Sequence, residues 1–157
     1  MKKHFVIAVM ALVAVNTVFP RTVTVDTALA NAAKEISESV PQGTRIAVLN
    51  ISSDHTNLSD YIINELIANM VNTRTLQVVP RSTVELELAN REFDFQMSGY
   101  VSDENQKRLG QFLEAGTIIS GSVARDAANS YRLIINAIDL ESFAYQSSFR
   151  ISVQDDT

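Results

Sequence analysis

The chain has 157 residues, no cysteine, and 13 basic against 18 acidic residues, a formal charge of −5. The missing cysteine excludes a disulfide framework, a thiolate metal site, a cysteine nucleophile and the lipidated cysteine of a lipoprotein. The acidic balance argues against a nucleic-acid binder, which gathers Lys and Arg to displace counterions from phosphates.

The chain opens like an export signal. Lys2, Lys3 and His4 form a basic start, and residues 5–19 are apolar except for Asn16 and Thr17. That run falls short of the roughly 20 residues a spanning helix needs and suits the apolar region of a signal peptide. Ala28-Leu29-Ala30 offers the small residues that signal peptidase reads. The expected division is therefore a signal peptide over residues 1–30 and one domain over residues 31–157. Residues 20–30 make a long stretch ahead of that site, so the alternatives are cleavage elsewhere or retention of the segment as an inner-membrane anchor. Beyond residue 30, without Lys2, Lys3, Arg21 and Asp26, 10 basic and 17 acidic residues remain, a charge of −7 with no basic run. The remaining length suits one domain and one core.

Residues 27–40 predict a first helix, because Leu29, Ala32, Ala33, Ile36 and Val40 recur at spacings of three and four. Pro41-Gln42-Gly43 stops it. The β-branched run at residues 45–51, RIAVLNI, predicts a buried strand. A polar loop follows at 52–57. A second helix, capped by Ser59, then carries Leu58, Tyr61, Ile62, Leu66, Ile67, Met70 and Val71 and ends at Asn72-Thr73-Arg74. Residues 76–79 predict a short strand. Ser82 with Glu85 fits a capping box opening a third helix, broken by Ser98-Gly99. Ser102 or Asp103 caps a fourth, with Leu109, Phe112 and Leu113 facing inward.

Residues 117–124 predict a strand with Ser120, Gly121 and Ser122 at its centre, where a neighbouring backbone can approach closely. Tyr131, Leu133, Ile135 and Ala137 alternate with Arg132, Ile134, Asn136 and Ile138. After a turn at Glu141-Ser142, Phe143, Tyr145, Phe149, Ile151 and Val153 alternate with more polar positions, which predicts an antiparallel β-hairpin. The Ala144, Gln146, Ser148 and Arg150 face of that hairpin is expected to be wet. The fold class implied is α+β: a two-layer sandwich of a mixed sheet with helices on one face and a C-terminal hairpin.

No catalytic constellation stands out. His55 lies beside Asp54, with Ser52 and Ser53 close by, which sketches a hydrolytic triad; the competing reading is a solvated loop histidine. Neither GxSxG nor HExxH occurs. Asp54, His55 and Asp60 lack a diagnostic metal spacing. Glu85, Glu87, Glu92 and Asp94 form a solvated helix face or a contact surface for a basic partner. Phe93, Phe95 and Met97 are expected to seat their helix on the sheet. Gly110, Gly116 and Gly121 are too scattered to cradle a phosphate, and no cofactor is implied.

One ordered set of motifs resembles a known family. Residues 95–99 (FQMSG), then Ser102-Asp103-Glu104, Leu109-Gly110 and residues 118–123 (IISGSV) follow one another as in the curli-secretion-lipoprotein-like superfamily. That group includes the lipoprotein activators of penicillin-binding proteins (LpoB-like) and domains similar to the TolB N-terminal domain. The resemblance runs from about Arg45 to Val153, with RIAVLNI as a first strand and VVPRSTVE as a second strand and following helix. Two departures bear on function. The short connection over residues 124–131 leaves no material for the membrane-barrel hairpins of the pore-formers. The lipidated cysteine of the family lipoproteins is absent.

The resemblance implies a non-enzymatic, periplasmic protein-interaction domain, similar to activators of peptidoglycan synthases. The partner would be an envelope protein such as a synthase, with membrane contact only through a retained N-terminal segment. The alternative is an accessory factor of outer-membrane secretion, not itself a pore, for which self-association into rings is expected. A small hydrolase built on His55 is the third reading. No motif marks the contact face; the candidates are exposed strand edges and the loop residues Asp54, His55, Thr56 and Asn57.

Overall fold

The computed structural model describes residues 23–80, 113–127 and 129–154. Among these, two helices and five strands follow one another: α1 (Val25–Ser39), β1 (Arg45–Ser53), α2 (Thr56–Thr73), β2 (Gln77–Val78), β3 (Thr117–Ala127), β4 (Ser130–Asp139) and β5 (Tyr145–Gln154). The strands form one mixed sheet in the order β2-β1-β3-β4-β5. β1 pairs in parallel with both β2 and β3, and β3, β4 and β5 pair antiparallel. α1 packs on α2 and β5, and α2 packs on β1 and β2, so both helices cover the same face. This is the α+β arrangement expected, with the C-terminal hairpin formed by β4 and β5. The third and fourth predicted helices, with the acidic residues 85–94 and the aromatic residues at 93–95, lie outside the described residues except for Leu113.

Helix α1 forms because its apolar residues fall on one stripe. Ala28, Leu29, Ala32, Ala33 and Ile36 are buried there. The helix starts earlier than the pattern suggested. Thr24 is its N-cap, its hydroxyl accepting the Thr27 N–H at 3.3 Å. The chain just before it pairs with the sheet: Val23 bridges Val153 in parallel, and the Gln154 N–H donates to the Val23 carbonyl at 3.0 Å. The expected domain start at residue 31 therefore falls inside α1.

Helix α2 buries Ile62, Ile63, Leu66 and Met70 against β1. Each such side chain is worth about 1.5–3 kcal/mol when fully removed from water. Three expectations need correction here. The predicted polar loop shrinks to Asp54 and His55, because β1 runs on to Ser53 and α2 begins at Thr56. Ser59 is not the cap; it is buried within the helix and its hydroxyl donates to the Ile51 carbonyl. His55 takes the cap position without a side-chain bond. Tyr61 and Val71, expected on the apolar stripe, are exposed.

The main core fills the space between the helices and one sheet face, with Ile46, Val48, Ile51, Ile119, Leu133, Ile135 and Val153 from the strands. A smaller cluster on the other face joins Ala47, Leu49, Leu113, Ala115, Ile118, Ile138 and Leu140. β1 is thus buried on both sides, which is why its sequence reads as an unbroken apolar run. The β4–β5 turn is wider than expected and spans 140–144. Asp139 organises it, its Oδ1 accepting the N–H groups of Glu141 and Ser142 and the Ser142 hydroxyl at 2.8–3.1 Å. Phe143 sits there at φ 54°, outside the strand. A register shift between Ala137 and Ile138 turns Tyr145 outward, 60% exposed, where the alternation placed it inside. Ala144, Ser148 and Arg150 are exposed as expected, while Gln146 is half-buried, bridging Thr117 and Asp139.

Candidate functional site: a cleft at the helix starts

α2 follows directly from the C-terminal end of β1, and β1 runs parallel to β3. The end of β3, the start of β4 and the end of β5 therefore lie at the same edge of the sheet as the start of α2. α1 also begins at this edge, brought there by the bridge between Val23 and Val153. The result is a cleft of about 750 Å³ lined by Thr24, Val25, Asp26, His55, Asn57, Leu58, Tyr61, Arg125, Tyr131 and Gln154.

Two polar pairs shape it. The Tyr61 hydroxyl donates to the Asp26 carboxylate and so ties the first turns of α1 and α2 together. That bond favours the neutral phenol; with partial burial and the negative charges of Asp26 and Glu65 it pushes the Tyr61 pKa up to about 12. Opposite, the Arg125 guanidinium lies 4.9 Å from the centre of the Tyr131 ring, and its Nη2 donates to the Tyr131 hydroxyl at 2.8 Å. These two residues are cross-strand partners in the β3–β4 ladder, which fixes their approach. Leu58 and Val25 supply apolar wall between the pairs. Both helices direct the positive ends of their dipoles here; α1 has Asp26 in its first turn to offset this, whereas the first turn of α2 has no acidic residue.

Of the four residues singled out in the predicted loop, His55 and Asn57 line the cleft, and Asp54 and Thr56 do not. The triad sketched from sequence is not assembled. Ser53 Oγ accepts the backbone N–H of His55 at 3.1 Å, and the Ser52 hydroxyl is directed at the Gly121 carbonyl at 3.4 Å, so the contacts these two serines make here are with backbone. Among the described residues no group of three His, Asp or Glu side chains converges as a metal site, so Asp54, His55 and Asp60 are not brought together. Asp26, Tyr61, Arg125 and Tyr131 were not identified from sequence. They come from four elements, α1, α2, β3 and β4.

No protein-family model and no curated protein sequence matches the chain. Solved structures do. The C-terminal domain of LpoB from Salmonella enterica superposes with a TM-score of 0.61 at 12% identity, covering 83% of this chain and 98% of that one. The same domain from Escherichia coli gives 0.59 at 12% identity, with the same coverage. The solution structure of E. coli LpoB gives 0.58 at 13% identity, covering 98% of this chain and 80% of that one. The chain has the LpoB-like fold.

Proposed function

We propose that the chain is a non-enzymatic protein-interaction domain of the bacterial envelope, exported to the periplasm, that docks on a peptidoglycan synthase and activates it. The likeness of nearly the whole LpoB C-terminal domain to this chain is the observation that carries the reading. The cleft adds to it, since it offers aromatic, apolar and charged groups at one edge. No helix among the described residues is long and apolar enough to cross a membrane. The sequence has no cysteine for lipidation, and its apolar N-terminal segment is the candidate tether.

Such a domain works by differential affinity. It shifts the synthase towards its active conformation only as far as it binds that conformation more tightly than the inactive one. Docking is assigned to the cleft, where Tyr61 and Tyr131 supply rigid aromatic area and Arg125 a charged anchor, the residue types that dominate interface energetics. The insertion of a pore-forming hairpin has no place in the β3–β4 connection, because β3 ends at Ala127 and β4 begins at Ser130.

The test uses the full chain with a purified bifunctional penicillin-binding protein from the same organism. Binding and a rise in glycan polymerisation rate are expected, with Arg125→Ser weakening binding by roughly tenfold, equivalent to about 1.4 kcal/mol. Absence of binding, or stimulation that Arg125→Ser and Tyr61→Ser both leave intact, would overturn the reading or its assignment to the cleft, respectively.

A further inference from the structure

The small residues Ala28-Leu29-Ala30 look like a cleavage site in sequence, yet the fold uses them as core. Ala28 and Leu29 are both fully buried, and Leu29 is among the largest side chains in the domain with no solvent contact. Ahead of them, Val23 extends the sheet beside β5, and the Gln154 N–H donates to its carbonyl at 3.0 Å. Thr24 caps α1 through its hydroxyl and accepts the Ala28 N–H through its carbonyl at 3.0 Å. Asp26 holds Tyr61 across to α2. A cut after Ala30 would remove six of the 15 residues of α1 together with its cap and its sheet contact. It would also strip Thr24, Val25 and Asp26 from the cleft wall.

We infer that the exported protein keeps residues 23–30: its leader is either cut at or upstream of the Thr22–Val23 bond or retained, and the bond after Ala30 is not the processing site. The inference concerns the boundary of the folded domain and does not depend on what the cleft binds. Signal peptidase acts on the chain before it folds, so burial does not protect the Ala30–Asn31 bond sterically. The selection is on the product: a chain starting at Asn31 would expose the partners of Leu29 and leave the β5 edge unpaired at Val153. Leu29 is where the requirement is sharpest, because its removal leaves an apolar hole between α1 and the sheet that the shortened helix cannot fill.

The experiment expresses the full chain, with its own leader and a C-terminal tag, in a bacterium that exports it, and reads the N-terminus by intact mass and N-terminal sequencing. A start at Val23 or upstream is expected. The companion variant is Ala30→Lys. Position 30 is exposed on α1, so a good helix former is tolerated there, but lysine immediately before the scissile bond blocks signal peptidase. The variant is expected to show the same start as the wild type, its mass differing only by the substitution. A wild-type start anywhere beyond Val23, or accumulation of a longer chain in Ala30→Lys, overturns the inference.

Discussion

Gly121 lies in β3, flanked by β1 and β4, and a methyl group there has nowhere to go. A Cβ built on its backbone falls 2.1 Å from the carbonyl oxygen of Ile134 and 3.2 Å from both the Ile134 carbonyl carbon and Ile135 Cα. Even a close C–H···O contact needs about 3.3 Å, so β3 and β4 would have to part by roughly 1.2 Å locally. N–H···O bonds near 2.9 Å do not survive that separation, and at least one ladder bond is lost. Overpacking costs about 1–3 kcal/mol, and an orphaned buried backbone group a further 1–3 kcal/mol. Gly121→Ala is therefore expected to destabilise the domain by about 2–6 kcal/mol, a large share of the ~5–15 kcal/mol available to a domain. Gly116→Ala is the internal control, because its Cβ would meet only Thr44 Cγ2, at an ordinary 3.5 Å. In urea unfolding with a slope of about 2 kcal/mol/M, the Gly121→Ala midpoint should fall by ~2 M, while Gly116→Ala stays within about 0.5 M of wild type. Equal midpoints for the two variants would refute the argument that backbone proximity, not glycine's entropy, makes Gly121 necessary.

Leu29→Ala should cost about 2–5 kcal/mol, read from the same urea transition, since the residue is fully buried between α1 and the sheet. Ser59→Ala removes the hydroxyl that satisfies the Ile51 carbonyl at a buried site and should cost about 1–2 kcal/mol with the unfolding slope unchanged. Asp26→Asn should bring the Tyr61 pKa down from about 12 towards 10, measured as the difference between ultraviolet titrations of Asp26→Asn and of the same variant carrying Tyr61→Phe. The sign for stability follows: a phenol pKa raised in the folded state contributes fully below pH 10 and is lost as pH rises towards 12, so wild type and Asp26→Asn should converge in stability across that window.

The elements that the sequence specified best are those whose burial is regular. Leu133, Ile135 and Ala137 alternate in β4 and all three are buried, and the α1 stripe from Leu29 to Ile36 is buried as its spacing required. Legibility failed where a second rule competed for the same residues. Ser59 satisfies the composition rule for a helix cap, but a hydroxyl one turn inside α2 can instead reach back to the Ile51 carbonyl, and burial made that the stronger use. Tyr145 obeyed the alternation up to the register shift opposite Ala137, after which the period no longer says which side is in. Residues 27–30 were legible both as the end of a leader and as the start of a helix, because apolar and small residues serve either purpose, and the contact of Val23 with Val153, 130 positions away, has no local signal.

The same reasoning explains why the cleft was only half visible. His55 and Asn57 are neighbours in sequence and stood out as a polar break between a strand and a helix. Asp26, Tyr61, Arg125 and Tyr131 carry no local signal, since each is an ordinary exposed or half-buried residue of its own element. What gathers them is topology: a parallel β1–β3 pair places the end of β3 beside the start of α2, and the antiparallel return of β4 puts Tyr131 under Arg125. Sites in open mixed sheets form at the carboxyl ends of parallel strands for this reason. The chain-start pairing of Val23 with β5 then delivers Asp26 to Tyr61. The cleft is thus a property of the strand order and of the N-terminal boundary together. A protein that kept the sheet but lost residues 23–30 would retain Arg125 and Tyr131 on an open edge, with Tyr61 no longer held, and the surface offered to a partner would be a different one.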